Sequence, residues 1–195
     1  MTGIVKYGND WYFVNNGIVF TGYILIYYNG QWHCIHNGKI DDTYTGLVDF
    51  GGKTYYVVNG TVNTSSNGLT YINGEWCYLV NGVLDTNYNS LMFYNGTWYY
   101  VDHGKINWNY QGLAYCDNNW YYIEKGIYQS SYSSLVLYNG DWYYVKNGKI
   151  DWNYTNLVQY GHTWYYVENG RLNWSYNGTY NYNGINYTIR NGIVC

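Results

Sequence analysis

Carboxylate, imidazole and thiol groups are the side chains of this chain that could carry acid–base, metal or nucleophilic chemistry. The acidic residues repeat with the sequence: Asp41, Asp85 and Asp151 are separated by multiples of 22 residues. A catalytic carboxylate pair is a singular feature of a site, so carboxylates that recur with the chain indicate ordinary strand and turn positions. No nucleophile elbow, P-loop or H-E-x-x-H motif occurs. The sequence therefore predicts no catalytic residues and no enzyme activity.

Histidine and cysteine show no pattern that would bind a metal. The 4 histidines fall at different positions of the repeat, and no acid or cysteine recurs beside them at metal-ligand spacing. We therefore predict no metal site and no cofactor. The cysteines lack both regular pairing and C-x-x-C spacing, so we expect small buried residues without partners, and reactivity only at Cys195. They are Cys34, Cys77, Cys116 and Cys195.

Tryptophan and tyrosine are the residues whose spacing points to binding. Tryptophan recurs every 22 residues, with a first step of 21, at anchor positions 11, 32, 54, 76, 98, 120, 142, 164 and 186, although positions 54 and 186 carry Thr54 and Asn186 instead. Trp108, Trp152 and Trp174 each lie 10 residues past an anchor. An aromatic ring beside polar groups suits ligand recognition. The candidate ligand-binding residues are Trp32, Trp76, Tyr78, Trp98, Tyr100, Trp120, Tyr122, Trp142, Tyr144, Trp164 and Tyr166.

Pairs of Asn and Gly define the elements that must position these rings. In the seventh copy Asn139-Gly140 and Asn147-Gly148 bracket a run of β-forming residues, and Asn-Gly favours type I′ turns with positive φ at both residues. Each copy is then three short antiparallel strands. A short period of this fidelity predicts a stacked array. We therefore predict an all-β solenoid of nine β-hairpin repeats, forming one elongated body over residues 1–195.

Tight turns fix the strand register, so the two faces of the seventh copy can be assigned. One face is almost wholly apolar and is predicted to be core: Val136, Tyr138, Tyr143, Val145, Ile150 and Trp152. The other face mixes aromatic and charged residues and is the predicted recognition face: Leu135, Leu137, Trp142, Tyr144, Lys146, Lys149 and Asp151.

Bulk composition limits the partners. Charged residues make up 11% of the chain and the net charge is −3, which predicts no nucleic-acid surface and no polybasic membrane patch. The apolar stretch Ile18 to Tyr28 is too short to span a bilayer, so we expect no membrane insertion. No signal peptide is visible in this chain.

The pattern Tyr-Asn-Gly-x-Trp-Tyr-Tyr-Val-x-Asn-Gly-x-Ile, followed by Thr-Gly-Leu-Val, resembles the cell-wall-binding repeats of Gram-positive surface proteins. These include choline-binding, glucan-binding and toxin-type carbohydrate-binding repeats, and the closest likeness is to the variant of gut Firmicutes. The clearest segments are 92–113, 136–158 and 158–178. The resemblance implies a β-hairpin solenoid that holds ligands between consecutive hairpins by aromatic side chains, at the cell surface or outside the cell.

One departure from the choline-binding pattern bears on the ligand. The choline-type repeat carries Thr-Gly-Trp, whose Trp forms one wall of an aromatic cage. Here the matching positions end in Leu47, Leu113 and Leu157. A cation–π cage needs aromatic faces, which leucine does not offer. The substitution disfavours choline, and it is compatible with a sugar ring stacked on Trp and Tyr.

Two functions follow as expectations. The first is a non-catalytic module that binds a cell-wall glycan or another polysaccharide through weak, repeated sites and gains affinity from multivalency. The alternative is a structural protein that assembles head to tail into extracellular fibres. The first residues match the start of a unit and the last match its final strand, without a divergent cap at either end.

Overall fold

A computed structural model describes residues 1–195, apart from the side chain of Asp10. Contacts divide the chain into two compact units. The first comprises Met1–Asn89 with Asp102–Ile106, and the second comprises Ser90–Val101 with Asn107–Cys195. The described residues contain strands and turns and no helix, so the predicted all-β class is confirmed. One continuous body over the whole chain stays a prediction.

Every copy contributes two longer strands and one short strand. The first strands are β1 Gly3–Tyr7, β4 Tyr23–Tyr28, β7 Gly46–Phe50, β10 Gly68–Ile72, β13 Ser90–Tyr94, β16 Gly112–Cys116, β19 Ser134–Tyr138, β22 Asn156–Tyr160 and β25 Gly178–Tyr182. The second strands are β2 Asp10–Asn15, β5 Gln31–His36, β8 Lys53–Val58, β11 Glu75–Val80, β14 Thr97–Asp102, β17 Asn119–Glu124, β20 Asp141–Lys146, β23 Thr163–Glu168 and β26 Ile185–Arg190. The short third strands are β3 Ile18–Val19, β6 Lys39–Ile40, β9 Thr61–Val62, β12 Val83–Leu84, β15 Lys105–Ile106, β18 Ile127–Tyr128, β21 Lys149–Ile150, β24 Arg171–Leu172 and β27 Ile193–Val194.

The turns of the seventh copy have the predicted conformation. Asn139 and Gly140 have φ of 51° and 87°, and Asn147 and Gly148 have φ of 51° and 76°. This positive φ at both central residues is the signature of the type I′ turn, whose twist matches that of the flanking strands. The resulting register places Val136 opposite Tyr143 and Val145 opposite Ile150, as predicted.

Neighbouring copies are joined by backbone pairing. The N–H of Tyr144 donates to the carbonyl of Gly170 at 2.8 Å, and the N–H of Gly170 donates to the carbonyl of Tyr154 at 2.8 Å. Side chains add to this link, because Thr155 Oγ1 accepts from the N–H of Asn169 at 2.9 Å. The first of these bonds recurs between other neighbouring copies, for example from Cys34 to Gly60, from Tyr56 to Gly82, from Tyr100 to Gly126 and from Tyr166 to Gly192.

Aliphatic residues at two positions of the repeat form the core. Val145 and Leu135 are 0% and 1% exposed, and the equivalent residues of most copies are also buried. The buried set includes Leu25, Ile35, Val57, Leu79, Leu91, Val101, Leu113, Ile123, Leu157, Val167 and Ile189. Burying a side chain of this size contributes roughly 1.5–3 kcal/mol. These side chains stabilise a copy only when the neighbouring copies pack against it.

The face assignment made from sequence is confirmed for Val136, Val145 and Ile150 of the predicted core face, which are 6%, 0% and 9% exposed. It is wrong for two residues. Leu135 of the predicted recognition face packs in one cluster with Val167 and Leu172 of the next copy. Trp152 of the predicted core face is 48% exposed. The neighbouring copies therefore cover part of each face.

Candidate functional site

Stacked pairs of tyrosines lie inside five of the repeats. In each pair, the first tyrosine lies two residues after the anchor and the second lies twelve residues after the same anchor. In the seventh copy these are Tyr144 and Tyr154, whose ring centroids are 3.7 Å apart. The same pair recurs as Tyr78 with Tyr88, Tyr100 with Tyr110, Tyr122 with Tyr132, and Tyr166 with Tyr176. Each such contact stabilises the fold by roughly 0.5–1.5 kcal/mol beyond area burial.

The phenol of the second tyrosine donates a hydrogen bond to a backbone carbonyl in four of these pairs. Tyr154 Oη donates to the carbonyl of Leu157 at 2.7 Å, and Tyr110 Oη donates to that of Leu113 at 2.7 Å. Burial raises the pKa of Tyr154 to about 12, with the nearby Tyr144 phenol acting in the same direction. Burial also raises the pKa of Tyr110. These phenols serve the fold and stay protonated at neutral pH.

The anchor tryptophans are more accessible than the stacked tyrosines. The Trp142 and Tyr160 rings have centroids 5.0 Å apart, and both side chains keep part of their surface in solvent. Equivalent pairs join Trp32 with Phe50, Trp120 with Tyr138, and Trp164 with Tyr182. By contrast Tyr122 and Tyr166 are only 6% and 4% exposed. The anchor rings of these pairs therefore keep a partly exposed face that a ligand could reach.

Two of the candidate residues meet in one cavity. Tyr122 and Trp142 line a space of about 380 Å³. Its remaining walls are Gln111, Gly112, Tyr132, Leu135, Val136, Leu137 and Tyr160. Gln111 donates through Nε2 to Tyr122 Oη at 3.4 Å, which places an amide at the edge of the aromatic walls. A cavity with aromatic walls and a few polar groups is what a small organic ligand requires.

Among the other candidates, Trp120 lines a smaller cavity of about 160 Å³. The remaining candidates occupy equivalent positions in their own copies: Trp32, Trp76, Tyr78, Trp98, Tyr100, Tyr144, Trp164 and Tyr166. Sequence reasoning missed Tyr132, Tyr160 and Gln111 as cavity walls. Tyr132 and Tyr160 belong to tyrosine positions that recur every 22 residues, so the sequence shows that such tyrosines exist. Their proximity to Tyr122 and Trp142 depends on how the copies stack.

The repeating carboxylates hold turns. Asp41 Oδ1, Asp85 Oδ1 and Asp151 Oδ1 each accept the backbone N–H two residues ahead at 3.1 Å. The Thr43 hydroxyl also donates to Asp41 and lowers the pKa of that carboxyl. Their assignment as turn positions is confirmed.

The cysteines are all unpaired, and Cys34 and Cys77 are buried as predicted. Cys116 is only partly buried and Cys195 is exposed. Burial raises the pKa of the Cys34 thiol to about 11, with Asp41 acting in the same direction. Within the described residues, no group of three or more metal-ligating side chains lies together, and no helix has the length and apolarity to cross a bilayer.

The tandem hairpins and their aromatic walls define an array of aromatic β-hairpin repeats. The choline-binding repeat model matches residues 1–19, 43–63, 87–107, 109–127, 131–151 and 153–173, which make up more than half of the chain. The chain therefore belongs to the choline-binding repeat family, in agreement with the resemblance seen in its sequence. No curated protein sequence matches it.

Several solved structures are similar to this chain at low identity. CbpJ from Streptococcus pneumoniae is 22% identical over 95% of this chain and 62% of its own, with a TM-score of 0.36. Choline binding protein F from Streptococcus pneumoniae, solved with a peptidoglycan analogue, is 23% identical over 95% and 61%, with a TM-score of 0.35. The Cpl-1 endolysin, complexed with a peptidoglycan analogue, is 21% identical over 71% and 41%, with a TM-score of 0.33. The chain spans about three fifths of the first two structures.

Proposed function

We propose that this chain is a non-catalytic module that binds a cell-wall glycan at the cell surface or outside the cell. The observation that carries the proposal is the cavity of about 380 Å³ between Tyr122, Tyr132, Trp142 and Tyr160. Its aromatic walls suit the C–H face of a sugar ring, because the face of an aromatic ring is electronegative and sugar C–H bonds are polarised the other way. The Gln111 amide lies at the edge, where ring hydroxyls would need a hydrogen-bond partner.

A glycan explains the cavity better than a quaternary ammonium does. Leu135 occupies the third cage position in this cavity, as Leu113 and Leu157 do in their own copies. A leucine side chain offers no aromatic face, so this wall adds nothing to an aromatic cage for a cation. The anchors in the other copies would act as further weak sites, and a polymer that engages several of them gains affinity without new contacts.

Co-sedimentation with purified peptidoglycan tests the proposal. Trp142→Asn introduces the residue that the ninth copy carries at its anchor, Asn186, so the hairpin should keep its fold. Ile185→Asn removes an exposed apolar side chain elsewhere and is the matched control. We expect weaker sedimentation for Trp142→Asn alone, and inhibition by soluble tetrasaccharide-pentapeptide but not by choline. Equal binding of both variants, or inhibition by choline only, would refute the glycan site.

Head-to-tail assembly into fibres is the second candidate function. The backbone bond between neighbours, seen for Tyr144 with Gly170, recurs from Cys34 to Gly60, from Tyr100 to Gly126 and from Tyr166 to Gly192, so successive copies present the same pairing groups. A second copy of the chain could extend this pairing. Negative-stain electron microscopy of dilute protein would show long unbranched filaments if assembly is the function, and separate particles if it is not.

A further inference from the structure

Three exposed tryptophans sit at the same place in three repeats of the second unit. Trp108, Trp152 and Trp174 are 46%, 48% and 45% exposed. Each stands edge-on to a tyrosine of its own copy: the ring centroids of Trp152 and Tyr143 lie 5.9 Å apart at 81°. The corresponding values are 5.9 Å and 81° for Trp108 with Tyr99, and 6.1 Å and 83° for Trp174 with Tyr165. The three rings are therefore held in one repeated geometry.

The loop that carries each ring does not need tryptophan to fold. Asp151 Oδ1 accepts the N–H of Asn153 at 3.1 Å across Trp152. In other copies the side-chain oxygens of residues 41, 63 and 85 accept the backbone N–H of residues 43, 65 and 87 in the same way, also at 3.1 Å. Between those residues lie exposed polar side chains, namely Asp42, Thr64 and Thr86. The fold accepts a small polar residue at this position, so folding does not account for a large exposed ring there.

The surroundings of the rings favour a neutral sugar over an apolar surface. The residue after each ring is exposed and carries an amide or hydroxyl: Asn109, Asn153 and Ser175. An exposed amide or hydroxyl beside each ring suits the hydroxyl groups of a sugar, whereas sites for protein or membrane partners are typically contiguous apolar patches larger than a few hundred Å². Trp152 also shares a cavity of about 160 Å³ with the anchor Trp120, together with Tyr138 and Asn139. The exposed ring is therefore continuous with a candidate glycan-binding anchor.

We propose that Trp108, Trp152 and Trp174 form a second set of glycan-binding positions, each stacking one neutral sugar ring beside the amide or hydroxyl that follows it. This inference rests on the proposed function and extends it, since a glycan would then be held at both the anchors and the exposed rings. Such additional contacts raise the apparent affinity for a polymer more than for a single sugar.

Fluorine NMR on 5-fluorotryptophan-labelled protein separates the two proposals. Resonances are assigned with Trp108→Thr, Trp152→Thr, Trp174→Thr and Trp142→Asn, and the probe is the tetrasaccharide-pentapeptide fragment of peptidoglycan, followed by isomaltotriose. We expect all three exposed tryptophans to shift. Shifts at Trp142 alone would overturn this inference and leave the proposed function standing. Shifts at the exposed rings alone would refute the anchor site, and no shift with either probe would refute both proposals.

A triple variant carrying Thr at the three positions gives an independent measurement. Its thermal midpoint should stay close to that of the parent, because other copies fold with Thr64 and Thr86 at this position. Its apparent affinity for insoluble peptidoglycan should fall at least about tenfold. Unchanged affinity in a folded triple variant would contradict the inference.

Discussion

Gly148 and Gly140 provide a test of how tightly consecutive copies pack. Both glycines follow an asparagine in a turn of the seventh copy, with φ of 76° and 87°. A Cβ atom on Gly148 would lie 2.5 Å from the carbonyl oxygen of Gln129 in the preceding copy, whereas one on Gly140 would meet nothing within 4 Å. Gly148→Ala and Gly140→Ala therefore share the same backbone strain, and only the first adds a steric clash between copies.

The difference between the variants follows from these contacts. Alanine at positive φ costs roughly 1–2 kcal/mol at either position. At 148 the clash adds about 1–3 kcal/mol of overpacking. It also disturbs the bonds from Tyr122 N–H to Gly148 and from Gly148 N–H to Tyr132, both 2.8 Å long and worth about 1 kcal/mol each. Gly148→Ala should therefore be less stable than Gly140→Ala by about 2–4 kcal/mol.

Thermal unfolding followed by tryptophan fluorescence and circular dichroism measures this difference. At about 2–4 °C per kcal/mol for a chain of this size, the midpoint of Gly148→Ala should lie roughly 5–15 °C below that of Gly140→Ala. Similar midpoints for the two variants would refute the close approach of the 148 turn to the preceding copy.

Three further predictions follow from burial. Leu135→Ala should lower the free energy of unfolding, measured by urea denaturation, by about 2–5 kcal/mol, and Leu137→Ala should lower it by less than about 0.5 kcal/mol, because the two side chains are 1% and 54% exposed. Equal losses would contradict the burial of Leu135 between copies. The contribution of Tyr154 to stability should be constant up to about pH 10 and be lost as pH rises through 12, since its folded pKa of about 12 exceeds that of the unfolded chain. Unfolding titrations of the parent and of Tyr154→Phe at pH 9, 11 and 12.5 measure this, and the variant should show a weaker dependence between pH 11 and 12.5; an equal dependence in both would contradict the assignment. A thiol reagent at pH 8 should modify Cys195 quickly and Cys34 only after unfolding, because the Cys34 side chain is 0% exposed and its pKa is raised to about 11. Mass spectrometry measures the order of modification, and labelling of Cys34 before Cys195 in the folded protein would contradict this prediction.

The site was only partly predictable. The anchors and the tyrosines after them could be named from sequence because they repeat, and Trp142 and Tyr122 do line one cavity. That Tyr122 is 6% exposed could not be inferred, because Val136, Val145 and Ile150 of the next copy cover it. That Gln111 completes the wall depends on how its amide lies against the Tyr122 phenol, which the repeat pattern does not specify.

The sequence by itself determined the period, the turns and the register within each hairpin. These are local properties: an Asn-Gly pair adopts positive φ at low cost, and a tight turn sets which residues of the two strands face each other. The sequence also predicted the burial of Val136, Val145 and Ile150, but only the tertiary structure decided that Leu135 is buried and that Trp152 is exposed. Leu135 is covered because Val167 and Leu172 of the next hairpin pack against it. Alternation along one strand carries no information about a surface supplied by another copy.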